Sequence, residues 1–355
     1  LSVNSNIKEL LKQLKIFTVK NIIVTNKKSY LEIKKKLKNK KINIYNNYDL
    51  LNKIFKKQKA DYILNAISGL EGLNPTLKTI KFTKNIAIAN KESIICGWTL
   101  IQKELKKFKV KFIPVDSEHF SIWSLIDNAK NTDVEKVFIT ASGGPFNRFP
   151  LNKFNEITIK KALKHPNWKM GKKISIDSAT LMNKVFEIIE AKKIFNYKYS
   201  QLKILIHPNS YVHAIVKFNN GLIKMLMHDT NMRIPIFNSF YRNYEKKIST
   251  KNIDFDILNN LNFSNVDLIK FPVVNILKKM PNKDSLFETV LVSANDKLVD
   301  LFLNKKITFN QISTLLFKII KMKEFSKFKK LKAKNIDEII KLNDYVSLKI
   351  ENLTI

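Results

Sequence analysis

Two short acidic segments contain the residue types that bind a divalent metal ion beside a phosphorylated ligand. Asp116 and Glu118 are two positions apart, and Glu187 follows Asn183 and Lys184 by four and three positions. At the end of a strand the first spacing directs two side chains to one side, and on a helix the second places three side chains on one face. Carboxylate oxygens favour hard ions such as Mg²⁺ or Mn²⁺. The alternative to a metal site is a pair of solvent-exposed acidic turns, and the motifs described next favour the metal site over it.

A second group of polar residues is suited to a phosphate group. Ser178 follows a short run at 173–176 that we predict to be a strand, so we expect Ser178 where that strand meets a helix. Free N–H groups and the positive end of the helix dipole attract anions there, although an N-cap without a ligand explains the same serine. Lys184 adds positive charge nearby and favours phosphate. The other phosphate-binding candidates are Ser142, His165 and Asn183.

A polar triplet follows an apolar run at 86–89 that we predict to be a strand. Asn90, Lys91 and Glu92 would lie at its carboxyl end, where α/β proteins place their ligands. Lys91 could then hold a substrate oxygen, with Glu92 ordering the lysine. A solvent-exposed turn that begins a helix remains the alternative.

The chain has only seven glycines, and some of them mark candidate site loops. Gly143 and Gly144 follow a predicted strand at 136–140, which indicates a tight turn with exposed N–H groups. The segment from Trp168 through Met170 to Gly171 has the composition of a lid, with an ordinary apolar loop as the alternative.

Length and composition narrow the class of protein. A chain of 355 residues is typical of two or three domains with a sizeable core, and no run of about 18 apolar residues indicates a membrane span. The single cysteine, Cys96, excludes an internal disulfide and lies in an apolar segment, which favours a buried, unreactive thiol.

The net charge of +34 raises the question of nucleic-acid binding. Arginine, the usual reader of guanine and phosphate, occurs only at Arg148, Arg233 and Arg242. Lysine is spread over the whole chain instead of forming one patch. We therefore predict no nucleic-acid partner; a basic nucleic-acid binder would show salt-dependent DNA affinity.

The elements that must position these residues begin with an alternation of helix and strand. Helical spacing occurs at 7–17, 29–37, 48–57 and 74–82, and β-rich runs occur at 21–25, 41–45, 62–67 and 85–89. Such alternation predicts a parallel sheet with helices on its faces. No glycine-rich dinucleotide loop occurs, and the chain begins with leucine, so we expect a Rossmann-like domain without its first strand and loop.

We predict four regions in this α/β protein. Residues 1–115 are a partial dinucleotide-binding domain, 116–241 an α/β catalytic domain, 242–270 a linker and 271–355 a helical domain with helices at 285–303, 308–322 and 333–350.

Seven ordered motifs resemble those of the 1-deoxy-D-xylulose 5-phosphate reductoisomerase family, and the likeness extends through essentially the whole chain. The motifs are ANKES at 89–93, PVDSEH at 114–119, SGGPF at 142–146, HPNWKMGKKI at 165–174, IDSAT at 176–180, MNK at 182–184 and IHPNS at 206–210.

The resemblance implies a sugar-phosphate enzyme of non-mevalonate isoprenoid biosynthesis. It implies that 1-deoxy-D-xylulose 5-phosphate is rearranged and then reduced by NADPH to 2-C-methyl-D-erythritol 4-phosphate. The implied metal is Mg²⁺ or Mn²⁺, with Co²⁺ possible. The implied assembly is a homodimer, and the expected compartment is the cytoplasm, with a plastid not excluded.

The resemblance also implies residue roles. The metal ligands are Asp116, Glu118 and Glu187, and the catalytic residues are Lys91, Glu118 and His213. The substrate contacts are Ser117, Ser142, His165, Trp168, Ser178, Asn183 and Lys184. The cofactor contacts are Asn4, Ser5, Asn6, Asn90, Glu92, Gly171 and Met232.

The sequence departs from the family pattern at three places. The family's glycine-rich NADPH loop is absent, from which we expect weak NADPH binding by these 355 residues. Val185 replaces a glycine, from which we expect less backbone room beside the phosphate. The run from His228 to Asn231 replaces Gly-Glu-Pro-Asp. A chain that keeps the fold without catalysing the reaction is therefore the second hypothesis.

Overall fold

The first third of the protein contains two separate three-stranded parallel sheets. The computed structural model describes residues 1–55, 58–126, 129–130, 133–241 and 246–354. One sheet has the order β1-β2-β3 and the other β4-β5-β6. The strands are β1 Ser2–Val3, β2 Asn21–Val24, β3 Asn43–Tyr45, β4 Ala60–Asn65, β5 Thr83–Ile88 and β6 Lys111–Pro114. The helices between them are α1 Ile7–Ile16, α2 Lys27–Lys36, α3 Leu51–Ile54, α4 Leu73–Ile80 and α5 Lys91–Phe108.

The predicted alternation of helix and strand is confirmed here, with shifts at the element ends. The apolar stripes explain the packing, since Ile7 and Leu10 of α1 join Ile22 and Val24 of β2 in one small core. The helix predicted at 48–57 is only the single turn α3, and residues 56 and 57 lie outside the described part of the chain.

The middle of the chain forms a five-stranded mixed sheet with the order β10-β9-β7-β8-β11. Its strands are β7 Val134–Ala141, β8 Leu202–Ile206, β9 Val212–Phe218, β10 Ile223–Met227 and β11 Ser264–Asn265. The accompanying helices are α6 Ser117–Leu125, α7 Ile159–Ala162, α8 Lys172–Thr180, α9 Met182–Phe195, α10 Arg233–Phe240 and α11 Phe255–Asn259. Strand β11, which falls in the predicted linker, pairs antiparallel with β8.

The strand predicted at 173–176 is wrong, because these residues belong to helix α8. Ile174 and Ile176 alternate with polar residues, which imitates the period of a strand. In the structure Ile176 is buried in the core, and Lys173 and Asp177 form an i, i+4 ion pair with an N–O distance of 3.0 Å. Both contacts suit the helical period.

The last third is helical, as predicted, and shares its core with earlier elements. It contains α12 Phe287–Leu303, α13 Phe309–Ile320, α14 Lys323–Ser326 and α15 Ile336–Thr354. Trp98 of α5, Phe186 of α9 and Phe287 of α12 belong to one buried cluster, so three distant chain regions are held against each other. Cys96 is buried in the same cluster. Among the described residues, no helix combines the length and apolarity needed to cross a membrane.

Candidate active site

The site lies where several strands and helices end. Lys91 is the first residue of α5 after strand β5, and Asp116 precedes α6, two positions after the last residue of strand β6. Ser142 follows the last residue of β7. Asn90 accepts a hydrogen bond from the Ser93 amide at 2.6 Å, so it caps α5 and sets the direction in which Lys91 leaves the sheet. Residues 90–92 thus both begin helix α5 and place Lys91 at the site, so the two interpretations of this triplet are compatible.

Three carboxylates and two lysines form the centre of the site. Oxygens of Asp116, Glu118 and Glu187 all lie within 4.8 Å of one another. The Lys91 ammonium group contacts Asp116 and lies 3.3 Å from Glu187. The Lys184 ammonium group contacts Glu118 and lies 2.6 Å from Glu187. Two residues predicted from sequence as substrate contacts therefore neutralise part of the predicted metal site.

The carboxylate group fits a divalent metal ion. Its donors are oxygens only, which is the set that Mg²⁺ and Mn²⁺ prefer. The side chains of Glu187, Glu118 and Asp116 are 1%, 9% and 17% exposed, so their charges are only partly screened by water. Three carboxylates opposite two ammonium groups leave one uncompensated negative charge, which a cation would balance. Asp116, Glu118 and Glu187 would hold that ion.

Charges in this centre shift the pKa values of its members. Burial alone would raise the pKa of Glu118, but the positive charges of Lys184 and Lys91 outweigh it and bring this pKa well below its usual value. Burial likewise opposes the charge on Lys184, whereas Glu118 and Glu187 raise its pKa above the ordinary value. Both groups are therefore charged at neutral pH.

The residues predicted to bind phosphate adjoin the carboxylates. Asn183 and Lys184 lie in the first turn of α9, where free N–H groups and the helix dipole favour an anion. Ser178 lines the same cavity, but the expectation that it lies at a strand-to-helix junction is wrong, because it is in the last turn of α8. Leu181, with φ of +64°, turns the chain from α8 into α9 and brings the two helices together.

The double-glycine turn approaches this region closely. Gly144 has φ of +63°, and a Cβ atom there would lie 2.7 Å from the Ser178 carbonyl oxygen. Its amide donates a hydrogen bond of 3.0 Å to the Ser142 hydroxyl oxygen. Glycine is thus required both by conformation and by space.

His165 fixes the segment predicted to be a lid. Its Nδ1 accepts hydrogen bonds from the amides of Asn167 at 3.1 Å and Trp168 at 2.9 Å. Because burial and then Lys184 lower the pKa of His165 to about 4, the ring is neutral and its proton is on Nε2, which lies 3.2 Å from the Ser142 hydroxyl. The ring therefore joins the predicted lid segment to Ser142, the serine predicted to bind phosphate.

The departures at Val185 and His228 have structural explanations. Val185 is fully buried in the main core and does not line the site cavity, so the expected loss of backbone room is not seen. The ring of His228 stacks on the ring of His213, with centroids 3.7 Å apart. The backbone carbonyl oxygen of His228 accepts a 3.1 Å hydrogen bond from His213 Nε2. Trp168 meets the His213 ring edge-on at 6.1 Å.

One cavity of about 220 Å³ brings most of the predicted residues together. It is lined by Lys91, Asp116, Ser117, Glu118, Ser142, His165, Trp168, Ser178, Asn183, Lys184, Glu187, His213 and Met232. Asn90, Glu92 and Gly171 line a second cavity of about 830 Å³, which Lys91 also reaches.

The predicted cofactor residues at the start of the chain lie in neither cavity. Asn6 accepts a hydrogen bond of 3.1 Å from the Glu9 amide and so caps α1. The Asn4 side chain donates to the Thr25 hydroxyl at 3.1 Å, and Ser5 is exposed between them. Their role in NADPH binding stays a prediction.

Sequence reasoning missed Glu190 and Ser210. Glu190 is buried, and an oxygen of its carboxylate lies 3.7 Å from the Lys91 ammonium nitrogen. Burial, partly offset by Lys91, raises the pKa of Glu190 to about 8. Its spacing of three from Glu187 on one helix could have identified it. Ser210 lines the site with φ of +53° and accepts a hydrogen bond from Asn167, a long-range contact that spacing does not reveal.

The fold and the site together define a class of protein. Parallel sheets with ligand residues at their carboxyl ends are typical of nucleotide-dependent α/β enzymes. Three carboxylates beside a lysine-bearing helix N-terminus are suited to a metal ion and a phosphorylated substrate. The protein is thus an α/β enzyme with adjoining candidate sites for a metal ion and a phosphate group.

Comparison with known proteins identifies the family. Models of "1-deoxy-D-xylulose 5-phosphate reductoisomerase" and of its C-terminal domain match residues 1–97 and 112–195, and "DXP reductoisomerase C-terminal domain" matches 227–347. The reductoisomerase of Pelagibacter ubique is 65% identical over 356 residues, covering 100% of this chain and 92% of the relative. That of Clostridium kluyveri is 39% identical over 319 residues, covering 89% and 82%. The chain belongs to the 1-deoxy-D-xylulose 5-phosphate reductoisomerase family.

Solved structures agree with this assignment. A structure of DOX-P reductoisomerase in complex with NADPH, fosmidomycin and magnesium is 29% identical with a TM-score of 0.89, covering 100% of this chain and 90% of that chain. The Zymomonas mobilis enzyme in complex with NADPH is 28% identical with a TM-score of 0.87 and the same coverage.

Proposed function

We propose that this protein converts 1-deoxy-D-xylulose 5-phosphate to 2-C-methyl-D-erythritol 4-phosphate, using NADPH and a divalent metal ion. The observation that carries this proposal is the single cavity of about 220 Å³ in which three carboxylates adjoin a phosphate-binding helix N-terminus. Family membership supports the same activity, since relatives with this name match nearly the whole chain.

The cofactor and the metal ion supply chemistry that side chains lack. NADPH supplies the hydride for reduction, and the metal ion, when held by Asp116, Glu118 and Glu187, stabilises negative charge on substrate oxygens. The residues of the chain bind and orient the substrate around them. Ser142, Ser178, Asn183 and Lys184 converge on the phosphate region of the cavity.

Lys91 and His213 have different roles at the reacting end. Despite burial, Glu187 and Glu190 raise the pKa of Lys91, so its ammonium group stays charged and can donate hydrogen bonds to substrate oxygens. Burial and then His228 lower the pKa of His213 to about 3, so this ring is neutral. Its Nε2 proton is directed to the His228 carbonyl, which leaves a lone pair on Nδ1 as an acceptor.

The segment around Trp168 completes the site. Trp168 and Met170 both line the cavity, and both are partly exposed. Closing an apolar side chain over the substrate excludes water and strengthens the charged contacts beneath it. We infer that this segment acts as the lid.

Metal-dependent oxidation of NADPH in the presence of 1-deoxy-D-xylulose 5-phosphate tests the proposal. Activity should require Mg²⁺ or Mn²⁺ and disappear in Glu118→Gln, which keeps the shape of the side chain and removes its charge. Glu135→Gln is the matched control, because Glu135 is exposed on β7 and its ion pair, at 2.8 Å, is with the surface residue Lys217. Full activity of Glu118→Gln would reject the metal assignment, and absence of turnover in a protein with a glycine-rich NADPH loop supplied ahead of Leu1 would reject the function.

We also propose that the protein is a homodimer joined through strand β10. This strand is at the edge of the five-stranded sheet, and Ile223, Met225 and Met227 on it are 62%, 43% and 39% exposed. An exposed apolar edge strand invites pairing with a second chain. Light scattering should give a dimer for the wild type and a monomer for Met225→Lys. Leu348→Lys on α15, equally an exposed apolar residue, should remain dimeric.

A further inference from the structure

One partly buried ion network beside the second cavity joins three parts of the fold. The Lys173 ammonium nitrogen lies 2.6 Å from Glu92 and 2.9 Å from Asp296. It lies 3.0 Å from Asp177, one turn further along the same helix. The network therefore links α5, α8 and α12, which come from distant parts of the chain.

The network has more negative than positive charge. One lysine faces three carboxylates, of which Glu92 and Asp177 are almost fully buried. Asp177 is fixed further by the Asn295 amide, which donates a hydrogen bond of 2.7 Å. Removing the lysine would leave like charges facing each other, so its ammonium group determines where the Glu92 carboxylate points.

Glu92 lies where its orientation can affect ligand binding. Glu92 lies in the first turn of α5, beside Lys91 and at the carboxyl end of the parallel strand β5. Glu92 and Lys173 both line the cavity of about 830 Å³, together with Gly171 at the end of the lid segment. The two cavities meet at Lys91, which lines both. A ligand in the larger cavity can thus reach a substrate in the smaller one.

We propose that Lys173 is a positioning residue for NADPH: it holds the Glu92 carboxylate at the wall of the larger cavity and ties that carboxylate to helix α8, which directly follows the lid segment. This inference rests on the proposed function. A purely structural bridge between α8 and α12 is the alternative, and it predicts loss of stability without a selective effect on NADPH.

Titration with NADPH in the absence of substrate, followed by NADPH fluorescence, distinguishes the positioning role from a purely structural bridge. We expect Lys173→Met to raise the Kd for NADPH by about tenfold, since a charge-assisted contact is lost. The affinity for Mg²⁺ should be unchanged, and Lys173→Arg should recover most of the NADPH affinity. Lys193→Met is the matched control: Lys193 is a buried lysine paired with Asp284 at 2.7 Å and Glu288 at 3.2 Å, away from both cavities.

A double-mutant cycle keeps the proposal testable if Lys173→Met is too unstable to titrate. Lys173→Met combined with Glu92→Gln removes both partners of the ion pair, and it should change the Kd for NADPH no more than Glu92→Gln alone, because both substitutions act through one carboxylate. Additive effects, or an unchanged Kd in folded Lys173→Met, would overturn the proposal. A wild-type protein that binds NADPH but shows no turnover would reject the proposed function and leave the positioning role to be decided by these Kd values.

Discussion

Replacing Lys184 by methionine would remove a positive charge that the buried carboxylates of the candidate active site need for stability. The substitution keeps a long apolar stem and removes the positive charge between Glu118 and Glu187. The three side chains are 10%, 9% and 1% exposed, so water cannot replace the lost ammonium group. Removing one partner of a buried ion pair typically costs about 3–5 kcal/mol. We expect the unfolding free energy of the metal-free protein to fall by about that amount.

A divalent ion should reverse much of this loss. In the wild type the Lys184 ammonium group competes with a cation for the same carboxylate oxygens, whereas the variant leaves them free. An ion that binds only the folded state stabilises it by about 2.7 kcal/mol at a concentration of 100 Kd. The added stability at a fixed Mg²⁺ concentration should therefore be larger in Lys184→Met than in the wild type.

Urea unfolding with and without Mg²⁺ measures both effects. Lys193→Met is the control, because Lys193 lies on the same helix in another buried ion network and should lose stability without gaining any Mg²⁺ response. A loss below about 1 kcal/mol in Lys184→Met would contradict the buried-pair reasoning. An equal Mg²⁺ response in both proteins would contradict the assignment of these carboxylates to the metal ion.

Three further predictions address the surrounding site. Gly144→Ala should lower the unfolding free energy by at least about 1–3 kcal/mol in thermal unfolding, because the new Cβ would be 2.7 Å from the Ser178 carbonyl oxygen. Gly221→Ala, at φ of +86° with no atom within 4 Å, should cost less, and equal costs would refute the close-contact argument. Trp168→Ala should raise the KM for the sugar phosphate and lower kcat while leaving Mg²⁺ affinity unchanged; unchanged kinetics would exclude a lid role. The pKa of His213 is about 3 when folded against 6.5 when unfolded, so the unfolded state binds more protons between these values. Stability should be complete above pH 6.5 and fall as pH drops toward 3, by up to about 4–5 kcal/mol from this ring, and His213→Gln should flatten that decline.

Local spacing was sufficient to predict much of the first third of the fold. Apolar residues with helical or alternating periods marked α1, β2, α4 and β5 to within a few residues, because such periods reflect which face each element buries. The same reasoning failed at α8, where Ile174 and Ile176 alternate as in a strand. The burial of Ile176 and the contacts of Lys173 with other elements decided in favour of helix, and neither is encoded in a short window.

Some features of the site likewise follow from the sequence, and others follow only from the tertiary structure. Residue types and short spacing by themselves determined that Asp116, Glu118 and Glu187 could form an oxygen-only metal site, because ligand preference depends on atom type. Only the tertiary structure decided that Lys91 lies 3.3 Å from Glu187, 96 positions along the chain, and that Val185 points into the core. Charges and side-chain directions depend on how separate elements pack, which a one-dimensional pattern does not contain.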